Sequence, residues 1–113
     1  MATVTLQDET ATGRALATTS LEVLPAMLTA RELVRLRVRE EAARTDVGMP
    51  LVAAHEGRPV DWERQAEVAE AAFDRNGFVL LVGDRQIESL DEVLDLSDDP
   101  VISFVRLIAL VGG

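Results

Sequence analysis

Cysteine, lysine and tyrosine are absent from these 113 residues, histidine and tryptophan occur once each, and aromatic residues make up 4% of the chain. Without cysteine there is no disulfide scaffold, no thiolate metal site and no cysteine nucleophile. All 11 basic residues are arginine, so the chain offers no internal lysine as an acceptor and its one amine is that of Met1. No apolar run reaches the length that spans a bilayer, and the longest, 101–111, is broken by Ser103 and Arg106. The opening MATVTLQDET has neither the basic nor the apolar region of a signal peptide. These absences predict a cytoplasmic protein with no membrane partner.

What is present is a chain of one domain's length, 48% hydrophobic, with a net charge of −9. That much apolar content argues for a folded core and against disorder. The acidic balance and the lack of a basic tract argue against a nucleic-acid partner, which requires a positive footprint. Partners are expected to be neutral or basic where they dock.

Residues 3–8 alternate polar and apolar, the pattern of a half-buried strand. Residues 9–19, with Thr12-Gly13-Arg14, read as a turn, and 20–24 as a second strand of a hairpin stopped by Pro25. Thr29 and Glu32 form a capping box, predicting a helix to about Thr45 with Ala30, Leu33, Val34, Val38 and Ala42 inward. Arg31, Arg35, Arg39 and Glu40-Glu41 then fall on its wet face. Residues 46–60 hold Gly48, Pro50, Gly57 and Pro59 and read as a loop. Asp61 caps a second helix whose apolar stripe is Trp62, Ala66, Ala69 and Phe73, closed by Asn76-Gly77 with Gly77 as the left-handed cap. The run 78–82, FVLLV, predicts a strand buried on both faces; 85–87 a short return strand; 90–96 has no clear type; and 101–110 is the last strand. To bury the 78–82 run, the last strand must lie between it and the first strand. The class is α+β.

The chain ends Gly112-Gly113. Two residues without Cβ can thread a narrow channel in extended form, and a glycine carboxylate is an unhindered acyl group. At average glycine usage a chance Gly-Gly ending arises about once in 200 chains. The ending therefore gains meaning only in the right fold.

Residues 78–113 (FVLLVGDRQIESLDEVLDLSDDPVISFVRLIALVGG) resemble the C-terminal half of the ubiquitin-like β-grasp carriers. The nearest groups are the molybdopterin synthase small subunit, the thiamine-pathway sulfur carrier and the ubiquitin-related modifier. The shared features are the apolar strand, the Gly83-Asp84 turn, a short strand, an acidic linker at 91–99 and a strand running into Gly-Gly. The hairpin followed by a capped helix also matches, so the resemblance covers 1–45 and 78–113. It implies a single ubiquitin-like β-grasp domain over 1–113. Its mixed sheet of four to five strands would pack on one helix, with an extra helix within an insertion at 46–76 and a tail at 111–113. Ala109-Leu110-Val111 lacks the proline often found before the diglycine of molybdopterin synthase small subunits.

The resemblance further implies a substrate and carrier rather than an enzyme. An ATP-dependent activating enzyme would adenylate Gly113, while Leu110, Val111 and Gly112 form the tail held by that enzyme as an extended strand. Adenylation replaces a poor leaving group on a resonance-stabilised carboxylate with a good one. A protein modifier would then be joined through Gly113 to target amines, with a transfer enzyme, an isopeptidase and target proteins as further partners. The alternatives are a sulfur carrier bearing a Gly113 thiocarboxylate, and a β-grasp interaction module that is never conjugated. No cofactor and no metal ligand set is implied, and a chain ending at Gly113 would need no processing protease. Of the other residues, His55 reads as a plain loop residue and Trp62 as core. The acidic stretch 91–99 reads as a solvated edge without the pattern of a calcium loop.

Overall fold

The computed structural model describes residues 2–23, 26–43, 51–52 and 61–107. Strands β1 (Ala2–Thr10) and β2 (Ala15–Val23) form an antiparallel hairpin. A short β3 (Met27–Thr29) leads into helix α1 (Ala30–Ala43), and α2 (Trp62–Asp74) precedes β4 (Phe78–Val82). Then come β5 (Arg85–Ile87), β6 (Val93–Asp95) and β7 (Val101–Arg106). The class is α+β, with a mixed five-stranded sheet in the order β2-β1-β7-β4-β5. β7 runs parallel to β1 and antiparallel to β4, so the last strand is central, as the need to bury 78–82 required.

The helix boundaries follow from side chains that satisfy otherwise orphaned backbone groups. Glu32 N–H donates to Thr29 Oγ1 at 3.1 Å and Thr29 N–H donates to the Glu32 carboxylate at 3.3 Å, completing the expected box. Asp61 accepts from Arg64 N–H at 3.3 Å and starts α2. α2 ends in a Schellman arrangement: Gly77 N–H reaches Ala72 O at 2.7 Å and Asn76 N–H reaches Phe73 O at 3.0 Å. The left-handed residue is Asn76 (φ 59°), not Gly77 as expected. Asparagine tolerates that region better than other residues with a Cβ, so the turn closes one residue earlier.

One face of the sheet carries the core. Val4 and Leu6 of β1, Ile102 and Phe104 of β7, and Phe78 and Leu80 of β4 are buried beneath α1, which contributes Ala30, Leu33, Val34 and Val38. The second helix joins this core through Ala66, Ala69, Ala72 and Phe73. Phe73 meets Phe78 edge-on at 5.8 Å, and Phe78 stacks with Phe104 at 5.8 Å. Two helices thus line the core, not the one expected, because the apolar stripe of α2 has to be covered. Trp62, at its start, is half-buried against the core, with the Arg35 guanidinium 5.8 Å from its ring centre.

Other expectations need correction. The hairpin strands extend well into 9–19, leaving only the turn at 11–14, because β1 is paired on both sides and its ladder carries the more polar β2 with it. Three-residue β3 and β6 make a second, two-stranded antiparallel sheet; the 90–96 segment of undecided type holds β6. β4 is fully buried on one face only: Phe78 and Leu80 are inside, whereas Val79, Leu81 and Val82 are half-covered. β7 ends at Arg106, and 108–110 of its expected length lie outside the described residues. On α1, Ala42 is only half-covered where it was expected inward, and Arg37 is buried.

Candidate functional site

The residues expected to carry the chemistry, Leu110, Val111, Gly112 and Gly113, lie outside the described residues, as does His55. What is described is the point from which the tail leaves the sheet. β7 delivers Arg106 and then Leu107, whose N–H donates to Gly77 O at 3.0 Å. The chain is thus tied to the end of α2 one residue past the strand.

Arg106 is also tied from the core side. Its guanidinium donates to Asp8 Oδ2 at 2.9 Å. Asp8 sits on the helix-facing side of β1, 4% exposed, and receives Arg37 of α1 at 2.5 and 2.8 Å through both carboxylate oxygens. Arg37 Nε reaches Glu41 at 3.1 Å, one helical turn on, and the Glu41 carboxylate accepts the Leu51 N–H at 3.1 and 3.2 Å. The Arg37 guanidinium lies 4.4 Å from the ring centre of Phe104. Two carboxylates and two guanidiniums thus balance within a nearly dry space. Burial by itself disfavours the Arg37 cation, but hydrogen bonding to Asp8 and the Glu41 charge outweigh it and hold its pKa above the ordinary arginine value.

Sequence reading missed this cluster. Val34-Arg35-Leu36-Arg37-Val38-Arg39 alternates, so in sequence Arg37 looks like Arg35 and Arg39, and Glu41 falls on the expected wet face. The available signal was spacing: Arg37 stands three residues after Val34 and four before Glu41, on the buried side of α1. The acidic stretch, by contrast, behaves as a solvated edge. Asp91, Asp95, Asp98 and Asp99 are exposed, Asp91 pairs with Arg31 at 3.3 Å, and Asp99 accepts the Thr3 N–H at 2.9 Å.

The sheet face opposite the helices is the other feature near the tail. Val105 pairs with Val79 across β7 and β4, and Ser103 with Leu81. Val79, Leu81 and Val105 are half-covered and Val101 is 44% exposed, which makes an apolar centre on an otherwise hydroxyl-rich surface. On the helix side a groove of about 290 Å³ runs beside Trp62, Leu36 and Arg39. Among the described residues no group of three or more His, Cys, Asp or Glu could hold a metal, and no helix is long and apolar enough to cross a membrane. Comparison with known proteins returns no matching family model, no matching curated protein and no matching solved structure.

Proposed function

We propose that this chain is a ubiquitin-like β-grasp protein modifier, activated by adenylation of Gly113 and joined through it to amines on target proteins. The observation that carries the reading is the position of β7. The final strand is central, parallel to β1 and antiparallel to β4; its last residue, Arg106, is held by Asp8, and the next, Leu107, by Gly77 O. A short segment, 108–112, then separates this anchored point from Gly113. An activating enzyme that grips the domain would find the reacting carboxylate at a defined reach: six residues of extended chain span about 20 Å at most. The hairpin, capped helix and strand order support the same reading, and the apolar centre formed by Val79, Leu81 and Val105 offers that enzyme a surface to hold.

In this reading the chain supplies no catalytic group. Gly113 is the acyl group, Gly112 gives clearance, and Leu110 and Val111 are the handle. The test exploits Arg106, the last arginine. An N-terminally tagged chain, purified under denaturing conditions from its own host and digested with trypsin, should leave LIALVGG as a branch on target lysines, lost on deletion of Gly113. Recovery of only the free peptide would end the modifier reading. Replacement of one oxygen by sulfur in that peptide would identify a carrier instead.

A further inference from the structure

The two edges of the five-stranded sheet are built differently. β5 (Arg85–Ile87) is three residues long and opens with Arg85, which pairs with Glu92. Short, charged edges are a standard defence against the addition of another strand. β2 (Ala15–Val23) has nine residues, no proline and one charged residue, Glu22. It pairs with β1 on one side, and among the described residues no strand covers the other.

A bulge limits this edge but does not close it. Asp8 pairs with Ala17 and Glu9 with Ala15, so Leu16 is the extra residue, and 17–23 remain in regular register. Thr18, Thr19 and Ser20 in the middle of that run are all exposed. Thr19 opposes buried Leu6 and so points to the helix side of the sheet; its exposure means that no described helix overhangs the edge. Alternate N–H and C=O groups of an edge strand point outward and can pair with a further strand.

We infer that a second copy of this chain pairs antiparallel along 17–23 of β2, about a two-fold axis at Ser20, joining two five-stranded sheets into one. The occupant follows from the sequence of the run, ATTSLEV. Antiparallel pairing about Ser20 sets Ala17 against Val23, Thr18 against Glu22 and Thr19 against Leu21. No like charges meet, and each Glu22 carboxylate faces a threonine hydroxyl that can donate to it. Two copies of a chain with net charge −9 can approach only along a line poor in charge, and β2 is such a line. With Glu22 as its single charge, this edge has little with which to select a charged foreign strand, whereas a two-fold contact needs only self-complementarity. The contact is narrow, so the dimer is weak and reversible.

The test uses the full chain, with mass measured by sedimentation and light scattering over a concentration series. The expected result is a rise to twice the monomer mass. Ser20→Lys and Ser20→Glu each place like charges on the axis and should remain monomeric with an unchanged circular-dichroism spectrum. Mixing the two variants should restore the doubled mass. Hydrogen exchange on the unaltered chain gives an independent reading, since amides within 17–23 should slow as concentration rises. A chain that stays monomeric throughout, variants that still dimerise, a mixture that stays monomeric, or concentration-independent exchange in β2 would each overturn the proposal.

Discussion

Asp8 and Arg37 meet end-on between sheet and helix, the two terminal guanidinium nitrogens of Arg37 donating to the two carboxylate oxygens of Asp8 with 6% and 7% of the side chains exposed. The pair joins β1 to α1. Through Arg106 and Glu41 it also joins the end of β7 to the backbone at Leu51. Two carboxylates, Asp8 and Glu41, bridged by Arg37, therefore tie together the end of β7, the first helix and a point between the helices.

Removal of either partner should be costly, because the other charge is left buried. Asp8→Asn and Arg37→Met are each expected to lose about 3–5 kcal/mol of stability in urea denaturation. The double variant should lose less than the sum, with a coupling energy of at least about 1 kcal/mol. Strict additivity would show that the bidentate geometry contributes nothing in solution.

Asn76 gives a cleaner backbone test. It sits at φ 59° just past the end of α2 and is exposed. Asn76→Ala should cost about 1 kcal/mol through left-handed strain alone, while Asn76→Gly should be neutral or stabilising. The measurement is the urea midpoint at constant m-value. Equal losses in both variants would point to the asparagine side chain instead.

How much of this could be read beforehand depends on the range of the interaction. Thr29–Glu32 and Asp61–Arg64 are contacts over three residues, and their chemistry is written locally. The central place of β7 was legible because the apolar 78–82 run needs a strand beside it, although that run is fully buried on one face only. Helical spacing puts Arg37 on the side of Val34 and Glu41, but its partner Asp8 lies 29 residues away, so the ion pair that lets it be buried is not written locally. β3 and β6 are too short to show periodicity and exist because Leu28 and Leu94 need the core. The role proposed for Gly113 rests on residues that lie outside those described.

Asp95 supplies a pH-dependent prediction. Its carboxylate accepts the Ser97 hydroxyl at 2.6 Å and the Ser97 N–H at 3.0 Å, and these bonds, the hydroxyl first, hold its pKa below the usual aspartate value. A folded pKa below the unfolded one means that the turn is favoured above the unfolded pKa and loses that support as pH falls through the lowered folded value. An NMR titration should place the Asp95 midpoint below that of a model aspartate, and Ser97→Ala should raise it. An unchanged midpoint in Ser97→Ala would remove the hydroxyl as the cause.

The last prediction concerns the segment that the family resemblance treats as an insertion. If α2 were an appendage, weakening its contact with the sheet would leave the domain intact. Its buried face argues otherwise, since Ala66, Ala69 and Ala72 are fully covered and Phe73 is 8% exposed with its ring edge-on to Phe78. Phe78 in turn stacks on Phe104 of the central strand, so a change at Phe73 reaches β7 through two aromatic contacts. Phe73→Ala should therefore cost about 3–5 kcal/mol, the usual range for opening a cavity of that size in a core. It should lower the thermal midpoint of the whole domain in a single transition. A loss below about 1 kcal/mol, or a separate early transition confined to α2, would mean that the second helix is carried by the fold rather than part of it.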